Sequence, residues 1–414
     1  MALPAQIKVS FDFTSGATFG WPFILNDTVY GVLDTGILGS GAALEPIVDL
    51  TPNVRQITIR RGRNIMRDTY EAGTCTVRVL DPDSNFNPQN PASPYFGFLT
   101  PLRKLQVSAT FEGLESYLFS GYTTDYKYTY PQGQETGYVD ILCSDAFRLF
   151  QQAGLTTVAS ATDGQDTGTR IEKILDQVSW PTSMRDIQIG ETLCQVDPGT
   201  SRSSLDALKN AEFSEQGAFY MDSAGTAIFK NRNSVISANG ATPIVFNQTG
   251  GIPYSNLIFA FDDKLIINSS GMTIVGGTEQ VYEDADSIAK YFPHQLNQSN
   301  LVAQTDADAL NIARIYVATR AETTIRIDAM TVDLLDTAVP TDTMLGLDYF
   351  SLLDITNTQP DGSTIQKVLQ AQGLGWDITP NSMKVTVTTL ESLCEGFILD
   401  SVISGILNQS ILAY

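Results

Sequence analysis

Residues 54–123 hold several short runs in which apolar and polar side chains alternate, and that period of two commits the region to β-sheet. Residues 57–61 make the first run. In residues 75–80, Cys75, Val77 and Val79 alternate with Thr76, Arg78 and Leu80. In residues 105–111, Leu105, Val107, Ala109 and Phe111 alternate with Gln106, Ser108 and Thr110. Residues 117–122 predict a fourth strand with Gly121 as its bulge, and residues 138–143 a fifth. A long, proline-rich loop separates the second run from the third.

That loop and its flanks carry an ordered set of short motifs. They are Asp81 to Asp83, Asn87-Pro88, Ser93-Pro94-Tyr95, Pro101 with Arg103 and Leu105, and Leu118-Phe119 with Gly121. Their order, over about seventy residues, resembles the tail-hub or minor tail proteins of long-tailed bacteriophages. The resemblance implies a closed β-barrel hub domain and no reaction. It continues downstream. The run VYEDADSIAKY at 281–291 is similar to a segment of that family, with Phe292 where the family has glycine. Strand-like residues 349–357, 365–373 and 383–390, with GLGWDIT before the last, resemble the family's second hub domain.

Between the two sheet regions the period changes. Thr169 and Glu172 predict a capping box, and Ile171, Ile174, Leu175 and Val178 fall on one helical face. A second helix is expected from Ser203 or Ser204, with Leu205, Leu208 and Phe213, stopped by Gly217. Residues 219–221 and 226–230 flank a turn and read as a hairpin. Further strands are expected at 257–261, 264–268, 272–275, 324–330 and 332–334. A helix from Thr305 or Asp306 has Ala309, Ile312, Ala313, Tyr316 and Val317 as its buried stripe.

The expected fold is therefore β-rich α+β. Residues 51–148 form a first β-barrel-like hub domain, 149–250 an inserted small α/β domain, and 251–392 a second hub domain with one helix. Residues 1–50 supply an N-terminal strand, in which Ile7, Val9, Phe11 and Phe13 share a face, and an extended apolar arm. Residues 393–414 supply a C-terminal arm.

The two arms repeat one another. Residues 23–39 align without a gap on 397–413. Phe23, Ile24, Leu25, Gly31, Leu33, Ile37 and Leu38 match Phe397, Ile398, Leu399, Gly405, Leu407, Ile411 and Leu412. A repeated sequence reports a repeated contact. These residues are candidate assembly contacts on neighbouring subunits or a ring partner; the other reading is that each arm packs on its own chain.

Charge narrows the partners. Lys plus Arg total 25 against 46 Asp plus Glu, a formal net charge of −21, which disfavours general binding to nucleic acid or anionic membrane. Arg55, Arg60, Arg61, Arg63 and Arg67 are clustered, and the expectation is a solvated or ion-paired strand. Cys75, Cys143, Cys194 and Cys394 lie far apart without metal spacing, as expected of free thiols in a reducing compartment. The first residues lack the pattern of a signal peptide, and no apolar run of about twenty residues exists to span a bilayer.

Catalytic and metal motifs are weak. His294 is the single histidine and reads as a loop residue. Asp81, Asp83 and Asn85 imitate a calcium loop, but Phe86 and Ala92 occupy its glycine and glutamate positions, so a side-chain-capped turn is expected. Gly36, Gly39 and Gly41 precede no Gly-Lys-Ser/Thr. Trp21, Trp180 and Trp376 read as core residues. No cofactor, metal or enzymatic activity is expected.

The resemblance implies a structural protein of the virion tail tip, made in the host cytoplasm. It implies a homotrimer whose two barrels per chain alternate into a pseudo-sixfold ring, so that a sixfold tube meets a threefold tip. Partners would be a distal-tail or tail-tube ring protein and a central fibre, tape-measure or receptor-binding protein. DNA would pass the lumen without specific binding. A receptor- or carbohydrate-binding tail protein is the alternative. A tail-associated enzyme cutting peptidoglycan is a third class, disfavoured by the lack of histidine clusters and zinc motifs.

Overall fold

The alternating runs become the strands they encode. The computed structural model describes residues 3–14, 16–19, 47–64, 69–130, 136–248, 250–323 and 325–391. In the first block, β1 (Gln6–Asp12), β2 (Ile47–Asp49), β3 (Val54–Asn64), β4 (Thr69–Leu80), β5 (Lys104–Phe111), β6 (Leu114–Thr129) and β7 (Tyr138–Ser144) pair antiparallel in the order β2-β1-β5-β6-β7-β4-β3. The inward residues are those the alternation selects. Val9, Phe11 and Phe13, Cys75, Val77 and Val79, and Leu105, Val107 and Ala109 are all buried.

Gly121 is not a bulge. It pairs in register with Leu105, and the register slips instead between Val107 and Ser108 and between Thr123 and Asp125. Gly121 is needed for space: a Cβ there would lie 2.6 Å from the Ser144 carbonyl oxygen.

The second block supplies β8 (Ile244–Asn247), β9 (Asn256–Ala260), β10 (Arg326–Asp333), β11 (Leu352–Thr358), β12 (Thr364–Thr379) and β13 (Ser382–Leu390). Its order is β9-β10-β13-β12, with β11 on the N-terminal part of β12 and β8 parallel to β11. The decisive pairing joins the blocks. β12 runs antiparallel to β3 from Gly373 opposite Gly62 to Ile378 opposite Ile57. The two strand-rich blocks thus share one thirteen-stranded ladder over one apolar core. Among the described residues no pairing joins β2 to β3 or β8 to β9, so hydrogen bonding closes neither block on itself.

A helical layer lies between them. α1 (Phe147–Gln152), α2 (Thr167–Gln177) and α3 (Ser204–Glu215) pack with a three-stranded sheet of Arg185–Ile187, Ala227–Lys230 and Ala218–Met221. α2 begins earlier than its apparent capping box. Asp166 is the N-cap and accepts from the Thr169 N–H at 2.9 Å and the Thr169 hydroxyl at 2.6 Å. A carboxylate immediately before the first helical residue outcompetes a threonine already inside the helix. α3 starts on Ser203 with Asp206 completing a capping box, and Gln216, not Gly217, takes the left-handed stop at φ 56°.

Residues 269–320 form a further small unit. Strand Ser269–Ile274 pairs with Gln280–Glu283 and Gln295–Leu301, and helix Asp306–Arg320 covers it. The expected helical stripe is buried: Ala309, Ile312, Ala313, Tyr316 and Val317. The strand expected at 264–268 does not form. There the Ile267 N–H donates to Arg320 O at the end of that helix, and the Asn268 N–H to His294 O, so the backbone is satisfied outside any ladder.

Candidate functional site

The site of interest is the junction where the two blocks and the helical layer meet. β3 and β4 bring Arg61, Arg63 and Tyr70 to it. The hairpin after α3 brings Tyr220, and the turn before β11 brings Asp348, Tyr349 and Phe350. Tyr70 lies 5.2 Å from the Tyr220 ring and 5.1 Å from Tyr349, while Tyr220 meets Tyr349 edge-on at 5.0 Å. The Tyr70 hydroxyl donates to Gln372 Oε1 at 2.8 Å. Three aromatic rings from three distant segments thus form one cluster with a satisfied polar tip.

Cations clamp this cluster. The Arg61 side chain is buried, its Cζ 5.1 Å over the Tyr349 ring and its Nη2 3.5 Å from Asp348. Burial acts to lower its pKa, but the neighbouring Tyr349, Asp348, Asp222 and Asp145 outweigh it and the net shift is upward. Lys209 of α3 sits 4.7 Å over the Phe147 ring and bonds Glu212 at 2.7 Å and Phe219 O at 3.1 Å. Burial lowers its pKa despite Glu212. Asp145, at the step from β7 into α1, accepts from the Gly73 N–H at 2.6 Å and the Phe147 N–H at 3.0 Å. Burial pushes it up to about 7 against those two donors and against Arg61 and Lys209. The chemistry of the junction is mechanical: cation–π contacts and shared hydrogen bonds fix three units together.

On the outer face of the same junction lies a trench of about 400 Å³. Two rows of paired residues cross four strands there. One runs Thr386, Gly375, Arg60, Thr74 and the other Thr388, Gly373, Gly62, Glu71. Glycines at the centre of both rows remove the side chains that would fill it. Gly62 has φ 152°, and a Cβ there would stand 2.5 Å from Gly373 Cα. Arg60 projects over the trench, half exposed, and pairs with Asp377 at 2.8 Å.

The sequence singled out the arginine run but missed the junction, whose tyrosines carry no local signal. Arg60 and Arg61 are ion-paired as expected; Arg67 lies outside the described residues. The arm residues Phe23, Ile24, Leu25, Gly31, Leu33, Ile37, Leu38, Phe397, Ile398, Leu399, Gly405, Leu407, Ile411 and Leu412 also lie outside them. The Asp81 loop is a capped turn: its carboxylate accepts from the Asn85 N–H at 2.7 Å, the Phe86 N–H at 3.0 Å and the Tyr130 hydroxyl at 2.8 Å. The His294 ring stays local, 3.1 Å from Tyr291 O. Trp180 and Trp376 are buried core residues.

No protein-family model matches this sequence, and no curated protein matches it. Solved structures do match. The 43 kDa tail protein of prophage MuSo2 from Shewanella oneidensis superimposes with TM-score 0.56 at 10% identity, covering 94% of this chain and 99% of that one. A tail protein from Neisseria meningitidis MC58 gives TM-score 0.54 at 11% identity over 83% of this chain and 93% of that one. This chain has the fold of those tail proteins. The likeness spans both strand blocks and the helical layer between them, as the coverage requires.

Proposed function

We propose that the chain is a structural hub protein at the tail tip of a long-tailed bacteriophage. It closes the end of the tail tube and joins a ring protein of the tube to the fibre or receptor-binding apparatus. The observation that carries this reading is the β3–β12 pairing. It makes two strand-rich blocks of one chain into a single stiff ladder, and the clamped tyrosine cluster fixes the helical layer against both. Two such blocks in each of three chains present six sheet-built surfaces, which meets a sixfold tube from a threefold tip. The fold shared with two tail proteins supports the same reading. The net charge of −21 suits a lumen through which DNA passes without sticking.

The test is the mass of the purified full-length protein in solution. A homotrimer, at three times 45.0 kDa, is expected. A strictly monomeric protein that also fails to trimerise with its ring partner counts against the hub reading. The second reading, a receptor- or carbohydrate-binding tail protein, rests on Tyr128 and Tyr130. Their rings stack 6.2 Å apart at 13° and both are exposed. Binding of the isolated chain to a glycan array, abolished by Tyr128→Ala, would favour it.

A further inference from the structure

A cleft of about 500 Å³ lies between the helical layer and the small unit of residues 269–320. That volume is in the range of small-molecule sites. Its two sides are locked together. The Gln195 N–H donates to Val302 O at 2.9 Å, the Val302 N–H donates to Ser214 Oγ at 2.9 Å, and Phe213 stacks on Tyr316 at 5.4 Å. The loop from Asp197 to Arg202 is stapled as well. Asp197 accepts from the Gly199 N–H at 3.0 Å and from the Arg202 guanidinium, which also donates to Thr200 O at 2.9 Å. A cleft held in this way spends little ligand affinity on ordering itself. We infer that it binds a neutral saccharide chain.

The lining selects that ligand. Pro198, Ala207, Val275 and Val302 give the cleft apolar surface, which suits the C–H face of a sugar ring. Thr200, Asn210, Gln298 and Asn300 add hydroxyl and amide groups. Among the described residues, the Thr200 hydroxyl and the Asn210 amide make no hydrogen bond, and the Gln298 and Asn300 amides reach only Ser299, each at 3.4 Å. Each of the four offers both a donor and an acceptor, as every sugar hydroxyl does. Charge points to a neutral ligand. Arg202 is neutralised by Asp197, so no uncompensated cation faces a phosphate or carboxylate. Asp206, bonded to the Ser203 hydroxyl at 2.6 Å, leaves a negative charge that repels anions. An extended peptide fits less well. Strand Gln295–Leu301 is a sheet edge, and a straight edge accepts a peptide strand. Here it bulges at the cleft: Gln298 faces Met272 and Leu301 faces Ile274, with Asn300 at φ 62° between them. The bulge interrupts the row of backbone groups such a peptide would need.

Saturation-transfer NMR of the full-length protein with neutral hexasaccharides of glucose, galactose, rhamnose and N-acetylglucosamine tests this. At least one should bind. Asn210→Ala and Asn300→Gly should each weaken that binding by about fivefold, the worth of one hydrogen bond, without lowering the urea midpoint. Glycine keeps the left-handed backbone of Asn300, so the second variant removes only the amide. Tyr128→Ala should leave binding unchanged, because the Tyr128–Tyr130 pair lies on another element. Transfer to none of the four sugars would overturn the proposal. So would binding that survives both cleft substitutions, binding lost in Tyr128→Ala, or tighter binding of a uronate hexasaccharide or a short extended peptide. None of these outcomes bears on the hub reading, which depends on copy number.

Discussion

Substituting Gly62 tests the weld between the blocks. In Gly62→Ala, the new Cβ falls 2.5 Å from Gly373 Cα and 2.9 Å from Gln372 O, both backbone atoms of the facing strand. Neither can withdraw without parting β3 from β12. The residue also keeps φ 152°, a region closed to side chains. Backbone strain of this kind costs about 1–3 kcal/mol, and forcing a methyl into a packed contact about 1–3 kcal/mol more. The sum, about 2–6 kcal/mol, is a large fraction of the stability of an ordinary domain. Two controls separate the terms. At Gly113, with φ 84° and nothing within 4 Å, alanine meets only the backbone term. At Gly375 a Cβ meets only the flexible Arg60 side chain, 2.9 Å away, so alanine should be close to neutral. Urea midpoints should fall in the order Gly375→Ala, Gly113→Ala, Gly62→Ala, and amide exchange should rise at 374–378 in the last alone. A Gly62→Ala midpoint equal to that of Gly375→Ala would refute the close approach of the two strands.

Other outcomes follow from single residues. Asp145 is protonated more readily in the folded chain, near pH 7, than in an unfolded one, near 4. The folded state therefore holds the extra proton across that window, and stability should fall as pH rises from 5 to 8. Urea midpoints at those two pH values should differ less in Asp145→Asn. Asp166 has the opposite sense. Burial raises its pKa, but bonds from Thr169 and Gly190 outweigh that and hold it low, so its contribution is present above about pH 4 and is lost in acid. Asp166→Ala should cost about 1–2 kcal/mol at neutral pH, measured by urea unfolding. Phe292 stands at φ 64°, ψ 169°, and the residue is 80% exposed. That conformation belongs to glycine, so Phe292→Gly should raise stability by about 1 kcal/mol, and a loss instead would mean the ring makes a contact worth more than the strain.

What the sequence revealed and what it hid divide along contact distance. β4 was legible because Cys75, Val77 and Val79 need only their own period to declare a buried face. Helix Asp306–Arg320 was legible for the same reason, with Thr305 and Asp308 marking its start. The strand expected at 264–268 failed because an apolar trio, Leu265, Ile266 and Ile267, looks alike in a strand and in a loop tucked under a helix end. The N-cap of α2 was misplaced because Thr169 imitates a cap whose role Asp166 fills. The junction was invisible for a stronger reason. Tyr70, Tyr220 and Tyr349 come from three segments far apart in the chain, and nothing near any of them in sequence records the other two. The pairing of Gly62 with Gly373 is hidden in the same way, since each glycine alone reads as a bulge or a turn.

The central claim is that each chain supplies two sheet-built blocks so that three chains stand for six. Imaging of the tail tip in the intact particle tests it directly. The account predicts three copies of this chain, with their six strand blocks alternating around the axis at the end of the tube. A ring of six copies, or a single copy off the axis, would contradict it.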